Sequence, residues 1–322
     1  MGKKLLAVLV CAALVAAGIA ALGSLMRPVD TDTAVKSIQT FHELPENSVE
    51  VLAYGSSHIW RGLAVNELYE KYGIGAYNYG CNWQKLNTTQ LFFHDSLQTQ
   101  SPKLVIIETY MVDKILQDVD IDGEIYYTRA VPASPYKRAY LRTCFAGNWG
   151  RYLSYYAPLF AFHENRVNLT WANFRRNASE ADFKASKGFS GSVDVVETQV
   201  PDWRTFEQKP LPAASVAILD DLVQTCRARN IDVVFCTVPY GAPYNYADAM
   251  AAYAKANGCA YLDGFRAMKA IGLSGKTDFS DEWHLNSSGA KKFADYLGRY
   301  LAAHYKLTDM RLQDGTIWKD GF

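Results

Sequence analysis

The run Leu104-Val105-Ile106-Ile107 constrains the fold more than any other stretch of the chain. Four consecutive apolar residues leave no strand face for water, and strands of that kind belong to parallel sheets covered by helices on both sides. Other short runs share this character. They are Val51-Leu52-Ala53 within 50–54, residues 76–80 ending in Gly80, residues 231–239 stopped by Pro239, and residues 260–263. The segments between them have helical spacing. Leu63, Leu68 and Tyr72 share one face, as do Leu86, Gln90, Phe93 and Leu97. Residues 213–229 form an amphipathic helix, 246–256 another helix, and 286–301 place Phe293, Tyr296, Leu297 and Tyr300 on one side. Alternating strands and helices predict an α/β fold with a doubly wound parallel sheet.

The alternation stops between about 114 and 210. This stretch is aromatic, polar and irregular, punctuated by Asn148-Trp149-Gly150 and Lys187-Gly188-Phe189-Ser190-Gly191, with partial helix expected over 136–162. An insertion so much longer than a normal connection reads as a cap or substrate-binding subdomain. The organisation is then an N-terminal helix (1–27), a polar linker acting as a tether (28–48), an α/β domain (49–304) carrying the insertion, and a tail (305–322). The Asp314-Gly315 turn in the tail predicts a small hairpin.

At the amino end, Lys3 and Lys4 precede an uncharged apolar run from Leu5 to Met26, followed by Arg27. About 22 helical residues reach roughly 33 Å, enough to cross a bilayer core. That length favours an uncleaved anchor over a removed signal, although Ala20-Ala21 and Gly23-Ser24 offer small residues for cleavage, which would release a secreted form. Val10, standing before Cys11 where a lipoprotein signal has a small residue, argues against lipidation. The two lysines keep the amino end cytoplasmic, so the expected arrangement is a single pass with the domain outside the cell membrane.

Thirty-three basic residues balance thirty-three acidic ones, which disfavours a nucleic-acid partner. Six cysteines include no CxxC pair and no Cys/His group at zinc spacing, so neither a metal nor any other cofactor is expected. Five of them lie beyond the anchor, an odd number that argues against a full disulfide framework while allowing one bridge. The 21 tyrosines and 7 tryptophans serve cores, but such rings also line carbohydrate and interfacial surfaces.

Chemistry enters at Tyr54-Gly55-Ser56-Ser57-His58, directly after the first strand, where α/β proteins present functional groups. Ser57 is the candidate nucleophile. A serine hydroxyl needs a base to take its proton and a carboxylate to orient that base. Asp281-Glu282-Trp283-His284 supplies both, with Asp281 and His284 close enough for one loop to aim them together, and Asn286-Ser287-Ser288-Gly289 reads as the following helix start. His94 lies in an aromatic helical segment and reads as a satisfied packing residue.

These residues resemble the SGNH (GDSL-type) hydrolases. Gly55-Ser56-Ser57-His58 is similar to that family's first block, Asp281-x-x-His284 to its last, and Asn286-x-x-Gly289 is also typical. The resemblance spans roughly 49–301 apart from the insertion and implies a flavodoxin-like sheet. It implies a triad of Ser57, His284 and Asp281, and an oxyanion hole that includes the Gly80 amide. The family's third block supplies an Asn, but this chain reads Glu108-Thr109-Tyr110-Met111-Val112-Asp113 there, so Tyr110 or a group from the insertion would have to replace it. His58 is a candidate substrate contact, and Glu108 either binds substrate or holds the Ser57 loop. The anchor makes the membrane-bound branch the nearer likeness: the D-alanyl transfer proteins (DltD) and the polysaccharide O-acetylation proteins. That likeness implies a serine acyltransferase or esterase acting on O-acyl groups of a cell-surface or secreted polysaccharide, with an acyl-ester or glycan substrate and a membrane-bound acyl exporter as partner. The alternatives are an O-acetyl esterase that only hydrolyses, and a non-catalytic polymer-binding or assembly protein that keeps the fold.

Overall fold

The computed structural model describes residues 2–27, 31–115, 127–175 and 182–319. The chain divides into two compact units, one of Met1–Lys36 with Gln117–Glu180, the other of Ser37–Leu116 with Ala181–Phe322. It runs α1 (Gly2–Met26), α2 (Thr31–His42), β1 (Val51–Tyr54), α3 (Ser57–Gly62), α4 (Val65–Tyr72), β2 (Ala76–Asn78), α5 (Leu86–Ser96) and β3 (Leu104–Glu108). Among the described residues four short helices follow: α6 (Pro135–Phe145), α7 (Trp149–Tyr156), α8 (Pro158–Phe162) and α9 (Trp171–Arg175). The alternation then resumes with α10 (Ala213–Ala228), β4 (Asp232–Thr237), α11 (Ala247–Ala256), β5 (Ala260–Asp263), α12 (Gly264–Ile271) and α13 (Ser287–His304).

The larger unit holds a five-stranded sheet in the order β2-β1-β3-β4-β5, with every pair parallel. This is the flavodoxin-like order expected of an SGNH-type α/β fold, with its switch point between β1 and β3. In register, Val51 lies between Ala76 and Leu104, and Leu104 faces Asp232. Both faces of the central strands are covered. Val51, Ala53, Leu104 and Ile106 pack into a core shared with Leu68, Phe293 and Leu297 from α4 and α13. The alternate residues Leu52, Tyr54, Val105 and Ile107 are equally buried. On that second face Tyr54 meets Phe93 of α5, and Phe235 meets Tyr253 of α11. Burying four consecutive apolar side chains contributes roughly 1.5–3 kcal/mol for each large one, which is why Leu104–Ile107 tolerates no polar position.

The segment expected to be a tether is ordered from Thr31 onward as α2. Ile38 and Phe41 are buried, and Phe41 stacks on Tyr79 with ring centroids 3.9 Å apart. His42 Nε2 lies 3.1 Å from Asp95 Oδ2. Ala34, Ile38 and Phe41 recur at helical intervals, a pattern the polar composition of 28–48 hid.

The long insertion is divided. Its middle, 127–175, is helical as expected of 136–162. Ser134 caps α6 by accepting from Lys137 N, and left-handed Ala146 and Gly147 end that helix. Asn148 then caps α7, and Pro158 opens α8. In the same unit α8 packs against α1, and Asn173 of α9 donates through Nδ2 to Leu25 O at 3.1 Å and Arg27 O at 3.2 Å. By contrast, residues 187–200 belong to the sheet unit. Lys187 O accepts from Asn78 N, covering the β2 edge.

The tail does not form the expected hairpin. A 3₁₀ turn over Met310–Leu312 leads to buried Ile317 and Trp318, while buried Glu50 accepts from Thr308 N and Oγ1. The Asp314-Gly315 turn is present, but burial of Ile317 and Trp318, together with the Glu50 anchor, sets the path. All six cysteines are free thiols.

Candidate active site

The first turn of α3 begins where β1 ends. Gly55 bridges them with φ +149°, and a Cβ there would stand 2.6 Å from Glu108 Cβ, so only glycine fits. Ser56 is the N-cap, accepting through Oγ from His58 N at 3.2 Å. Ser57 is thereby the first residue of the helix, where backbone N–H groups lack helical partners.

Glu108, at the carboxyl end of β3, is buried and holds this turn. Its Oε2 accepts from Ser56 N at 3.2 Å and Ser56 Oγ at 2.9 Å, and its Oε1 from Tyr110 N. Of the two roles open to Glu108 in the sequence, the geometry corresponds to holding the loop. Burial pushes its carboxyl up to about 7, against the pull of the Tyr110 and Ser56 donors.

The base arrives on a loop between α12 and α13. Asn286 caps α13 by accepting from Gly289 N at 3.0 Å, and its Nδ2 donates to Thr277 O and Phe279 O. Buried Asp278 takes Ser274 N, Ser288 Oγ and the Lys292 ammonium. Residues 192–198 brace the loop from outside: Val196 N bonds Phe279 O at 2.9 Å, Thr198 N bonds Gly275 O at 2.8 Å, and Thr198 Oγ1 bonds Asp281 O at 3.2 Å.

The result is a continuous chain of hydrogen bonds. Ser57 Oγ lies 2.8 Å from His284 Nε2, and His284 Nδ1 lies 2.8 Å from Asp281 Oδ1. Asp281 also accepts from Trp283 N and His284 N, and Arg61 stands 3.7 Å from its Oδ2. Burial opposes the Asp281 charge. The hydrogen bonds from His284 and Trp283 N, with Arg61 nearby, nevertheless hold the carboxyl below its ordinary value. Burial likewise lowers His284, more strongly than Asp281 raises it. The imidazole is therefore neutral at neutral pH, with its Nδ1 proton directed at Asp281 and Nε2 free to accept from Ser57.

The other expected residues are placed as follows. The Gly80 N–H, expected to face an oxyanion, is committed to Asn78 Oδ1 at 3.1 Å. Asn78 is wholly buried and also donates to Ile59 O at 2.8 Å and Leu63 O at 3.1 Å, locking β2 to α3. His58 is 3% exposed, wedged between Tyr110 and Tyr240 with His284 at 5.5 Å, and so lines the interior rather than a substrate surface. Burial, then the neighbouring His284, keeps it well below its ordinary value and neutral. Tyr110 is half-buried with its ring stacked on His58 at 3.8 Å. His94, read as a satisfied packing residue, has its Nε2 2.6 Å from Asp221 Oδ2. Arg61, Asn78, Tyr240 and Trp283 were not singled out by sequence reasoning. Of these only Arg61, one helical turn beyond Ser57, carried a usable signal.

No family model matches the chain, and no curated protein matches it. Among solved structures it is similar to a Bacteroides fragilis protein described as a "putative acylhydrolase", at 15% identity and a TM-score of 0.41, covering 82% of this chain and 93% of that one. A likeness at that distance bears on neither activity nor substrate. The fold and the site define a flavodoxin-like α/β protein with a Ser–His–Asp hydrogen-bonded chain at the carboxyl ends of its strands.

Proposed function

We propose that the protein is a membrane-anchored, extracytoplasmic serine esterase or acyltransferase acting on O-acyl groups of a polysaccharide. The observation that carries this reading is the Ser57–His284–Asp281 chain, with both hydrogen bonds at 2.8 Å. His284 Nε2 takes the Ser57 proton as Oγ attacks the ester carbonyl, and Asp281 stabilises the imidazolium that forms. His284 then protonates the departing alcohol, leaving an acyl-Ser57 ester. A sugar hydroxyl or water, deprotonated by His284, attacks that ester and restores the serine. The Ser57 N–H, in the first turn of α3, donates to the developing oxyanion.

Aromatic surface beside the triad supports a sugar substrate. Trp283, 41% exposed, lies over Tyr240 with ring centroids 5.9 Å apart, and Tyr240 in turn meets Tyr110. Apolar sugar faces pack on such rings. The apolar α1 supports anchoring, and an acyl exporter in the same membrane is the fitting donor partner.

A fluorophosphonate probe tests the nucleophile. Labelling of the intact protein that disappears in Ser57→Ala supports it; equal labelling of the variant, or none of the parent alongside a labelled control esterase, refutes it. Acyl-donor turnover with and without glycan acceptor then separates transfer from hydrolysis. Commitment of the Gly80 amide to Asn78 favours a second reading, a polymer-binding protein with this fold, for which the probe would find no reactive serine.

A further inference from the structure

Residues 127–175 carry a surface that packing leaves uncovered. On α7, Trp149, Leu153 and Tyr156 stand at i, i+4 and i+7, one face of the helix, and all are more than half exposed. Phe160 on α8 and Trp171 and Phe174 on α9 are also more than half exposed, the last two with ring centroids 5.9 Å apart. Exposed apolar residues gathered on neighbouring short helices mark an interaction surface.

Its place along α1 says what covers it. α1 is the one helix among the described residues long and apolar enough to cross a membrane. Its side chains are exposed from Lys3 to Gly18 and become largely covered from Gly23 to Arg27. The cover comes from α8 and the 3₁₀ turn His163–Val167, which pack on α1. Asn173 donates to the carbonyls of Leu25 and Arg27, fixing α9 at the carboxyl end of α1. In a helix that spans a bilayer this end lies at the lipid–water boundary, the level that Trp and Tyr favour. The composition agrees. Residues 127–175 contain seven arginines and lysines against the single acid Glu164, and an open cavity of about 290 Å³ is lined by Arg138, Arg142, Trp149 and Tyr152. Basic residues beside an aromatic–aliphatic face characterise helices that lie in the headgroup region.

We infer that α7, α8 and α9 lie in the membrane interface around the outer end of α1, with Trp149, Leu153, Phe160, Trp171 and Phe174 entering the acyl-chain boundary and Arg138 and Arg142 facing lipid phosphates. The inference rests on the reading of α1 as a bilayer-spanning anchor. It gives the aromatic insertion a lipid partner.

The test uses the full chain reconstituted in phosphatidylcholine–phosphatidylglycerol vesicles whose acyl chains are brominated near the headgroup, with a parallel set brominated near the chain ends for Leu14→Trp, which lies at the middle of α1. Tryptophan emission should be quenched, with most of that quenching lost in Trp149→Phe/Trp171→Phe and regained when Leu14→Trp is added to the double variant. Quenching unchanged in the double variant, with further quenching from Leu14→Trp, overturns the interfacial placement and leaves the anchor standing. No added quenching from Leu14→Trp removes the anchor reading and this inference with it. A second variant, Leu153→Cys in a Cys11→Ser/Cys259→Ser background that removes the two accessible thiols, carries an environment-sensitive fluorophore. In vesicles its emission should lie to the blue of the same fluorophore on Val193→Cys, at an 88% exposed position of the sheet unit, and equal emission at the two sites counts against lipid contact.

Discussion

Ser57 Oγ and His284 Nε2 stand 2.8 Å apart across 227 residues of chain. Groups that act as one unit lose their effect together. Ser57→Ala and His284→Ala should each lower turnover of an aryl acetate by about 10³-fold or more, and the double variant should be little worse than either. Steady-state kcat for the three variants checks this; losses that multiply would show that the two residues act separately.

The tie between Glu108 and the Ser56 turn predicts a loss of activity larger than the loss of fold. Glu108→Gln places an amide NH₂ against either Tyr110 N–H or the Ser56 donors. A buried donor left without an acceptor costs about 1–3 kcal/mol. Urea denaturation should show a loss of that size, and fluorophosphonate labelling at Ser57 should slow further than the remaining folded fraction explains. Labelling at the parent rate would refute a positioning role.

Burial holds His284 below its ordinary value. Since only neutral imidazole accepts the Ser57 proton, the acid limb of kcat/KM should fall below the ordinary histidine value of about 6.5. Asp281→Asn removes the hydrogen bond and charge that raise the His284 pKa, so the limb should move further down in pH while kcat drops. A limb that moves upward would contradict this.

His58 and Glu108 shift stability in opposite directions with pH. His58 is neutral in the fold and depressed by burial, so below about 6.5 the unfolded chain takes up a proton that the fold resists, and stability falls as pH falls. Glu108, raised from 4.5 to about 7, keeps in the fold a proton that the unfolded chain has already released, so its contribution falls as pH rises across that window. His58→Phe preserves a ring between Tyr110 and Tyr240 and should be more stable than the parent at pH 5, with the gap closing toward pH 7. Chemical denaturation at several pH values measures it; a constant gap would mean that His58 does not titrate on unfolding.

Gly80 is held by sterics. A methyl there would lie 2.7 Å from Ile59 Cγ2 and 3.0 Å from Asn78 Oδ1. Gly80→Ala should therefore lower stability by about 1–3 kcal/mol. Urea denaturation of the variant measures that loss, and a variant as stable as the parent would show that Ile59 and Asn78 yield to the methyl.

The sheet was legible because parallel strands leave a local signature: Leu104–Ile107 and the Val51 run are apolar without alternation, and each needs only its neighbours to be recognised. Ser57, His284 and Asp281 were legible because each is followed or preceded by its own turn chemistry. Their supports were not. Asn78 sits in Tyr77-Asn78-Tyr79 like any strand residue, and its three bonds to Ile59, Leu63 and Gly80 exist only after β2 meets α3. Residues 192–198 look irregular because their backbone–backbone hydrogen bonds go to 275–287 instead of to one another. α2 was hidden for a related reason: it is polar on the solvent side, and its apolar positions acquire meaning only against Tyr79.

Phe41 on Tyr79 also sets how this protein can be shortened. Cleavage near Ala20-Ala21 or Gly23-Ser24 leaves α2 attached and the aromatic stack of Phe41, Tyr79 and Phe92 closed. A recombinant form started at Val49, where the first strand region begins, would strip Ile38 and Phe41 from the sheet unit and present Tyr77 and Tyr79 to solvent. Loss of α1 alone spares the stack, whereas trimming to the visible edge of the α/β pattern produces a sticky, aggregation-prone fragment.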